Sequence, residues 1–536
     1  HPSYPSINFT IMTSMRECQL GEINDTSRLT CSPCEKGSYS VNKSDTTCSP
    51  CPDNAFCPGG YQVIPKKGYW KPNIYSTNIY LCNNSDVCDA MTYGERACAP
   101  GYKGPFCLAC ELENGYASSG TGCAKCPPFW QGMLILCSLQ LLIFAIEIAY
   151  IWYFRKINKS MIVGNKFSKK SVDRVSRGGY MTIMMDYLQI ITILKGYPLV
   201  VSGFLAALSH IGNPSQTLLY SSDCVFLQVG FSPENVFYAK LVSIVLLPFV
   251  KLFLCMIFGF VKKFAYTHFR FNDYIIVAIQ CLVLVEQPSM LSALLSAINC
   301  QSIDPKAPDQ SKVEYFLKEN PEVTCYTNVY NSYRNIMALP MLVFWGICLP
   351  VVLAATLIYN RNRLKTYSFA TKFGIQYAIY RSKMYFWNLI QLLNKFILIF
   401  FAQSSFLPLN MLGLTLFLIL IGYMLIIKQF QPYRSVDLQK TYIRSIYVFI
   451  FTIFAAVYGY EESQLDKVIS SFIILLNAAF IIFIAIKLLH LFGYRWITRS
   501  LNNLFNKVFH NKDGNKNYFF DDSYHNLTDS VLHPDH

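Results

Sequence analysis

Residues Cys123–Phe154, CAKCPPFWQGMLILCSLQLLIFAIEIAYIWYF, carry the chain from one solvent into another. Up to Cys126, cysteine recurs every few residues. From Phe129 to Phe154 there follow 26 residues with a single charge, Glu147. The hydrocarbon core of a bilayer is about 30 Å thick, which an α-helix crosses with about 20 apolar residues. The run therefore reads as a first membrane span, with a cysteine-rich domain on its N-terminal side.

Upstream, thirteen of the 20 cysteines precede Phe129: Cys18, Cys31, Cys34, Cys48, Cys51, Cys57, Cys82, Cys88, Cys98, Cys107, Cys110, Cys123 and Cys126. At that density a segment folds by cross-links, because it cannot bury enough apolar area unaided. The CxxC pairs could instead hold zinc. Four glycosylation sequons in the same stretch, at Asn8, Asn24, Asn42 and Asn83, favour a lumenal, oxidised domain, so no metal and no cofactor is expected. Thirteen is odd. Cys224, Cys300 and Cys325 lie in later polar loops and make the external total sixteen. The preferred pairing joins Cys300 to Cys325 and Cys224 to one head cysteine. The chain begins at His1, and a removed signal peptide is expected before it.

Downstream, nine apolar runs are long enough to span: roughly 129–154, 180–211, 236–261, 274–298, 336–359, 386–406, 408–428, 441–459 and 467–490. The composition agrees, with 53% hydrophobic and only 15% charged residues. The net charge of +14 does not mark a nucleic-acid binder, because the cations fall in alternate loops. Loops 155–178, 262–273, 361–385 and 428–444 hold 21 lysines and arginines against three acids; the intervening loops hold five against ten. By the positive-inside rule the head lies outside and the C-terminus in the cytosol. The expected architecture is an all-α polytopic membrane protein of about nine helices with a small disulfide-rich extracellular domain: a head over 1–127, a membrane domain over 128–494, and a cytosolic interfacial helix and polar tail over 495–536. In that last segment, Ile497, Leu501, Leu504, Phe505 and Val508 follow helical spacing.

Ionisable residues inside spans cost about 2.5–3.5 kcal/mol each on insertion scales, so they are functional candidates. Lys195, Lys251, Glu286 and Lys395 fall near mid-span, with Asp186 and Glu147 nearer the cytosolic side. Two spans carry helix-weakening residues beside a charge, Lys195-Gly196-Tyr197-Pro198 and Glu286-Gln287-Pro288. Breaks at these points would suit a permeation or gating site lined by Glu286, Lys195 and Gln189. The plainer reading pairs Glu286 with Lys195 or Lys251, and Lys395 with Asn394 and Gln391, as packing contacts.

The head resembles the cysteine-rich EGF-like and ephrin-receptor-like repeats of surface proteins, through Cys31-Ser-Pro-Cys34-Glu-Lys-Gly-Ser-Tyr39, Cys48-Ser-Pro-Cys51 and the laminin-EGF-like stretch Cys98 to Cys126. The membrane domain resembles the multi-pass proteins of ciliates and other protists that carry such heads. It is also similar to the TRP-like, polycystin-related proteins of fungi, through Phe373-Gly374-Ile-Gln-Tyr377-Ala-Ile-Tyr380, then Tyr385-Phe-Trp387, and Gln431-Pro432-Tyr433. The fungal proteins carry a lipid-binding sandwich as their head; this chain does not. The resemblance implies an ion channel. Read from the residues alone, Phe373–Trp387 is an interfacial aromatic belt or a lipid or gating contact.

No P-loop, nucleophile elbow, HExxH motif or histidine cluster occurs, so a non-enzyme is expected. The expected function is a TRP-like cation channel or channel subunit. The alternative is a surface receptor or adhesion scaffold in a larger assembly. Expected partners are membrane lipids, a protein bound by the head, and further copies or subunits, in the plasma membrane or another secretory-pathway membrane, the cilium included.

Overall fold

The computed structural model describes residues 16–25, 30–74, 76–82, 86–89, 94–118, 122–160, 169–194, 222–266, 268–303, 314–404, 407–461 and 466–491. The head is a string of six two-stranded antiparallel hairpins, running from Glu22–Asp25 with Thr30–Pro33 to Tyr116–Ser118 with Cys123–Lys125. Among the described residues these hairpins do not merge into a larger sheet. Their apolar clusters are small; the larger gathers Trp70, Val87 and Ala97 around Cys82, Cys88 and Cys107. Cross-links supply the constraint such clusters cannot. Six disulfides lie within the head: Cys18–Cys31, Cys34–Cys48, Cys51–Cys57, Cys82–Cys88, Cys98–Cys107 and Cys110–Cys123. Each joins a cysteine to the next one along the chain. Asn42 is exposed and Asn24 half-buried; Asn8 and Asn83 lie outside the described residues. Lys71 is buried in the head, its Nζ donating to Val63 O at 3.2 Å and Ile74 O at 3.0 Å, and burial pushes its ammonium down to about 8.

The membrane domain follows as helices α1 (Phe129–Ser160), α2 (Lys169–Leu194), α3 (Asp223–Val229), α4 (Pro233–Ala265), α5 (Phe271–Ser296), α6 (Asn328–Tyr359), α7 (Tyr367–Tyr377), α8 (Trp387–Gln403), α9 (Leu409–Phe430), α10 (Val436–Glu461) and α11 (Asp466–Leu491). Helix α5 is the hub, packed against α1, α2, α4, α6, α7 and α8. Its sequence shows why: Gln280, Glu286, Gln287, Ser289 and Ser292 spread polar groups around a helix that would be intolerable in lipid, and all are buried. Helix α4 reaches α5 closely at Gly259, where a Cβ would sit 2.8 Å from the Tyr274 ring. The apolar faces of α1 and α6 point outward, as lipid requires.

Among the described residues seven helices, α1, α4, α5, α6, α9, α10 and α11, are long and apolar enough to cross a membrane, where nine are expected along the whole chain. The shortfall has two sources. The expected span 180–211 is described only as far as Leu194, and residues 195–221, with Lys195 and its Gly-Tyr-Pro sequel, lie outside the described residues. The expected span 386–406 is a helix of 17 residues, about 26 Å long at 1.5 Å per residue. The interfacial helix expected at Trp496–Phe509 also lies outside the described residues.

A second correction concerns Pro288. The helix does not break there: α5 runs without interruption from Phe271 to Ser296. Helix α6 is the one that deforms, with π-turns over Arg334–Ala338 and Phe344–Cys348 just before Pro340 and Pro350.

Candidate functional site: two buried ionic clusters

Lys251 of α4 stands between two carboxylates. Its Nζ lies 2.6 Å from Glu147 Oε1 on α1 and 2.5 Å from Glu286 Oε1 on α5. All three side chains are buried, Glu286 completely. A second cluster joins α2 to α8: the Lys395 ammonium donates to Asp186 Oδ1 and, at 2.7 Å, to Gln189 Oε1. Each described mid-bundle lysine thus meets an acid on another helix. Burial of five ionisable groups in the bundle is offset by pairing them, and the pairs link the helices that carry them.

Gln189 ties the second cluster to the backbone of α5. Its Nε2 donates to Leu284 O at 3.1 Å and Val285 O at 3.2 Å. Pro288 has no N–H, so the carbonyl four residues earlier, Leu284, loses its helical donor. Gln189 supplies the missing donor from a neighbouring helix. Gln287 does the same service for α6. In that helix's second π-turn, Leu349 N–H bonds Phe344 O, and the next donor in register would be Pro350, which has none. The Trp345 carbonyl left over accepts from Gln287 Nε2 at 3.0 Å.

Replacing Gln189 with leucine removes an acceptor from Lys395 and orphans the Leu284 carbonyl. The expected cost is about 1–3 kcal/mol, seen as a lower midpoint of thermal unfolding in detergent. In a Pro288→Ala background, where the N–H is restored, the same change should cost less. An equal cost in both backgrounds would contradict the capping role.

No family model, curated protein or solved structure matches the chain. The clusters must therefore be read from their own chemistry. Glu286 is enclosed on Lys251, and Gln189 is held by α5 and Lys395. Lys395, expected beside Asn394 and Gln391, pairs with Asp186.

The aromatic stretch after α6 also differs from a lipid-facing belt. Tyr380, Trp387 and Tyr433 are among the most enclosed large side chains. Tyr380 and Tyr433 pair as an isolated antiparallel bridge, with Arg381 N donating to Pro432 O at 2.8 Å and Arg434 N to Ile379 O at 3.0 Å. Between them sits Gln391, accepting from Tyr380 OH at 2.5 Å and donating to Tyr433 OH at 2.8 Å. Tyr377 OH donates to Leu364 O at 2.6 Å, Phe373 stacks on Phe369, Gly374 is buried within α7, and Tyr385 meets Phe386 edge-on. These residues form a clasp that closes the segment between α6 and α8 onto the turn between α9 and α10.

At the other end, the head is joined to the bundle. Cys126 pairs with Cys224 on α3, and Cys300 with Cys325 brackets the hairpin Cys300–Ile303 and Glu314–Leu317 between α5 and α6. Lys103 of the head reaches Glu322 at 2.6 Å, and Phe316 from that hairpin packs on the Trp70 cluster. Gln228 Nε2 donates to Pro127 O at 3.0 Å. The grouping of Cys18, Glu22 and Cys31 is no metal centre, since its two sulfurs are bonded to each other.

Proposed function

We propose that this membrane protein is a cell-surface receptor whose head and bundle act as one mechanical unit. The observation that carries the reading is the Cys126–Cys224 bond, seated with the Lys103–Glu322 pair and Phe316. Through it the head grips α1 and α3–α4, and through the Cys300–Cys325 hairpin it touches α5 and α6. Helices α1, α4 and α5 are the three that meet at Lys251. A partner that tilts the head pulls on the outer ends of the helices that share the ionic cluster. The head then faces outside, the clasp faces the cytosol, and the protein resides in the plasma membrane or another secretory-pathway membrane, with no enzymatic step of its own.

The second reading is a TRP-like cation channel with its pore between copies of the chain. What favours it is α6, a helix with two π-turns and little of its surface covered within one chain. Such turns recur at functional sites. Current across a planar bilayer holding the purified protein, wild type beside Glu286→Gln, separates the readings. The receptor reading expects no unitary current from either. A current altered by Glu286→Gln would overturn it in favour of a pore through the bundle; a current indifferent to Glu286 and absent from monomeric fractions would favour a pore between copies.

A further inference from the structure

At the end of the bundle away from the head, three cations crowd one carboxylate. Arg155 and Lys159 lie four residues apart on α1 and so share a face, where like charges repel. Lys159 is within electrostatic reach of both Arg155 and Arg270, the residue that opens α5. The only described acid among them is Asp273, and it already pairs with Arg270 Nε at 3.2 Å. Arg155 is 7% exposed, yet it makes no ion pair among the described residues. Its Nη2 touches Arg270 O at 3.5 Å, its guanidinium lies 4.0 Å above the Phe269 ring, and its Nε has no hydrogen-bond partner. A buried guanidinium with a free donor, beside two further cations, is short of an anion.

The level of the cluster says which anion. Arg155 is about 39 Å along α1 from Phe129 at 1.5 Å per residue, past an apolar core of about 30 Å and so at headgroup depth. At the end of α4, Phe264 is 77% exposed, and in the turn to α5 Tyr266 is 59% exposed with Lys262 over its ring. Exposed aromatics next to cations suit the boundary between acyl chain and headgroup.

We propose that Arg155, Lys159 and Arg270 bind the phosphate of an anionic phospholipid in the leaflet opposite the head, with Phe264 and Tyr266 against its acyl chains. This does not rest on the receptor reading. The test is native mass spectrometry of the full chain, titrated with dioleoyl phosphatidic acid against phosphatidylcholine and, separately, soluble glycerol 3-phosphate. Expected is retention of phosphatidic acid over phosphatidylcholine, weakened about fivefold for each cation removed in Lys159→Gln, Arg270→Gln and Arg155→Met. Lys440→Gln, an exposed cation on α10, should leave retention unchanged. If Arg155→Met does not fold, the two variants at Lys159 and Arg270 carry the test. Equal retention by all variants, or equal weakening by Lys440→Gln, would overturn the site. Displacement of phosphatidic acid by an equal concentration of glycerol 3-phosphate would also overturn it, in favour of a soluble phosphate.

Discussion

Lys251→Met is expected to leave little folded protein. The side chain's ammonium is the shared partner of Glu147 and Glu286, so its removal strands two carboxylates inside the bundle at once. Breaking one buried pair by deleting a partner costs about 3–5 kcal/mol in soluble proteins, a large part of the 5–15 kcal/mol that holds a domain together. Lipid outside the bundle offers the stranded charges no relief. Glu286→Gln should be milder, because Lys251 keeps Glu147 and the amide still accepts a hydrogen bond. The triple change Lys251→Met, Glu147→Leu, Glu286→Leu should recover most of the loss, since apolar groups of similar size often replace a buried ion pair without penalty. Fluorescence-detected size exclusion and thermal unfolding in detergent rank the four proteins. Wild-type behaviour from Lys251→Met would mean that the cluster does not hold α1, α4 and α5 together.

The second large effect is expected from the double variant Cys126→Ser, Cys224→Ser. The bond closes a sequence separation of 98 residues, for which chain entropy alone gives about 4.7 kcal/mol. The realised figure should be nearer about 2–4 kcal/mol, because α1 already limits where the ends can go. Its more telling signature is local. Amide exchange should accelerate in Asp223–Val229 and in the hairpin Tyr116–Ser118 with Cys123–Lys125, while the first hairpins of the head keep their protection. If protection at α3 is unchanged, the packing around Gln228 and Phe316 holds the head without the bond, and the receptor reading loses its main support.

How far the sequence foretold these features differs from residue to residue. The apolar runs announced themselves, because a bilayer imposes a minimum length that can be counted; α8 sits at the short end of that range, with its polar residues Asn388, Gln391, Asn394 and Lys395 buried. That Lys251 or Lys395 would need an acid was legible from the cost of burial; Glu286 stands among the partners the sequence offers Lys251, whereas nothing there points Lys395 to Asp186. Gln189 meets Leu284 across 95 residues of chain, and no local pattern encodes that encounter. The signal that could have found it was Pro288 itself, read as a carbonyl in need of a donor instead of a break. The Tyr380–Tyr433 bridge was hidden for a similar reason: a tyrosine buried by tertiary contact and one anchored at an interface look the same in sequence. The three-cation cluster was counted among the topogenic charges, and only the burial of Arg155 sets it apart.

The order of the disulfides bears on how the protein is made. All six bonds within the head join neighbouring cysteines at separations of 6 to 14 residues, so each can close soon after its second thiol leaves the ribosome. Cys126 is the thirteenth and finds its neighbours taken. At about 5–20 residues per second, its partner Cys224 follows it by roughly 5–20 s, behind α1 and α2. For that interval the newborn chain displays one unattached thiolate beside six fresh disulfides, each of which it can attack. Synthesis of this protein should therefore lean on a disulfide isomerase at one moment above all others, the pause between Cys126 and Cys224.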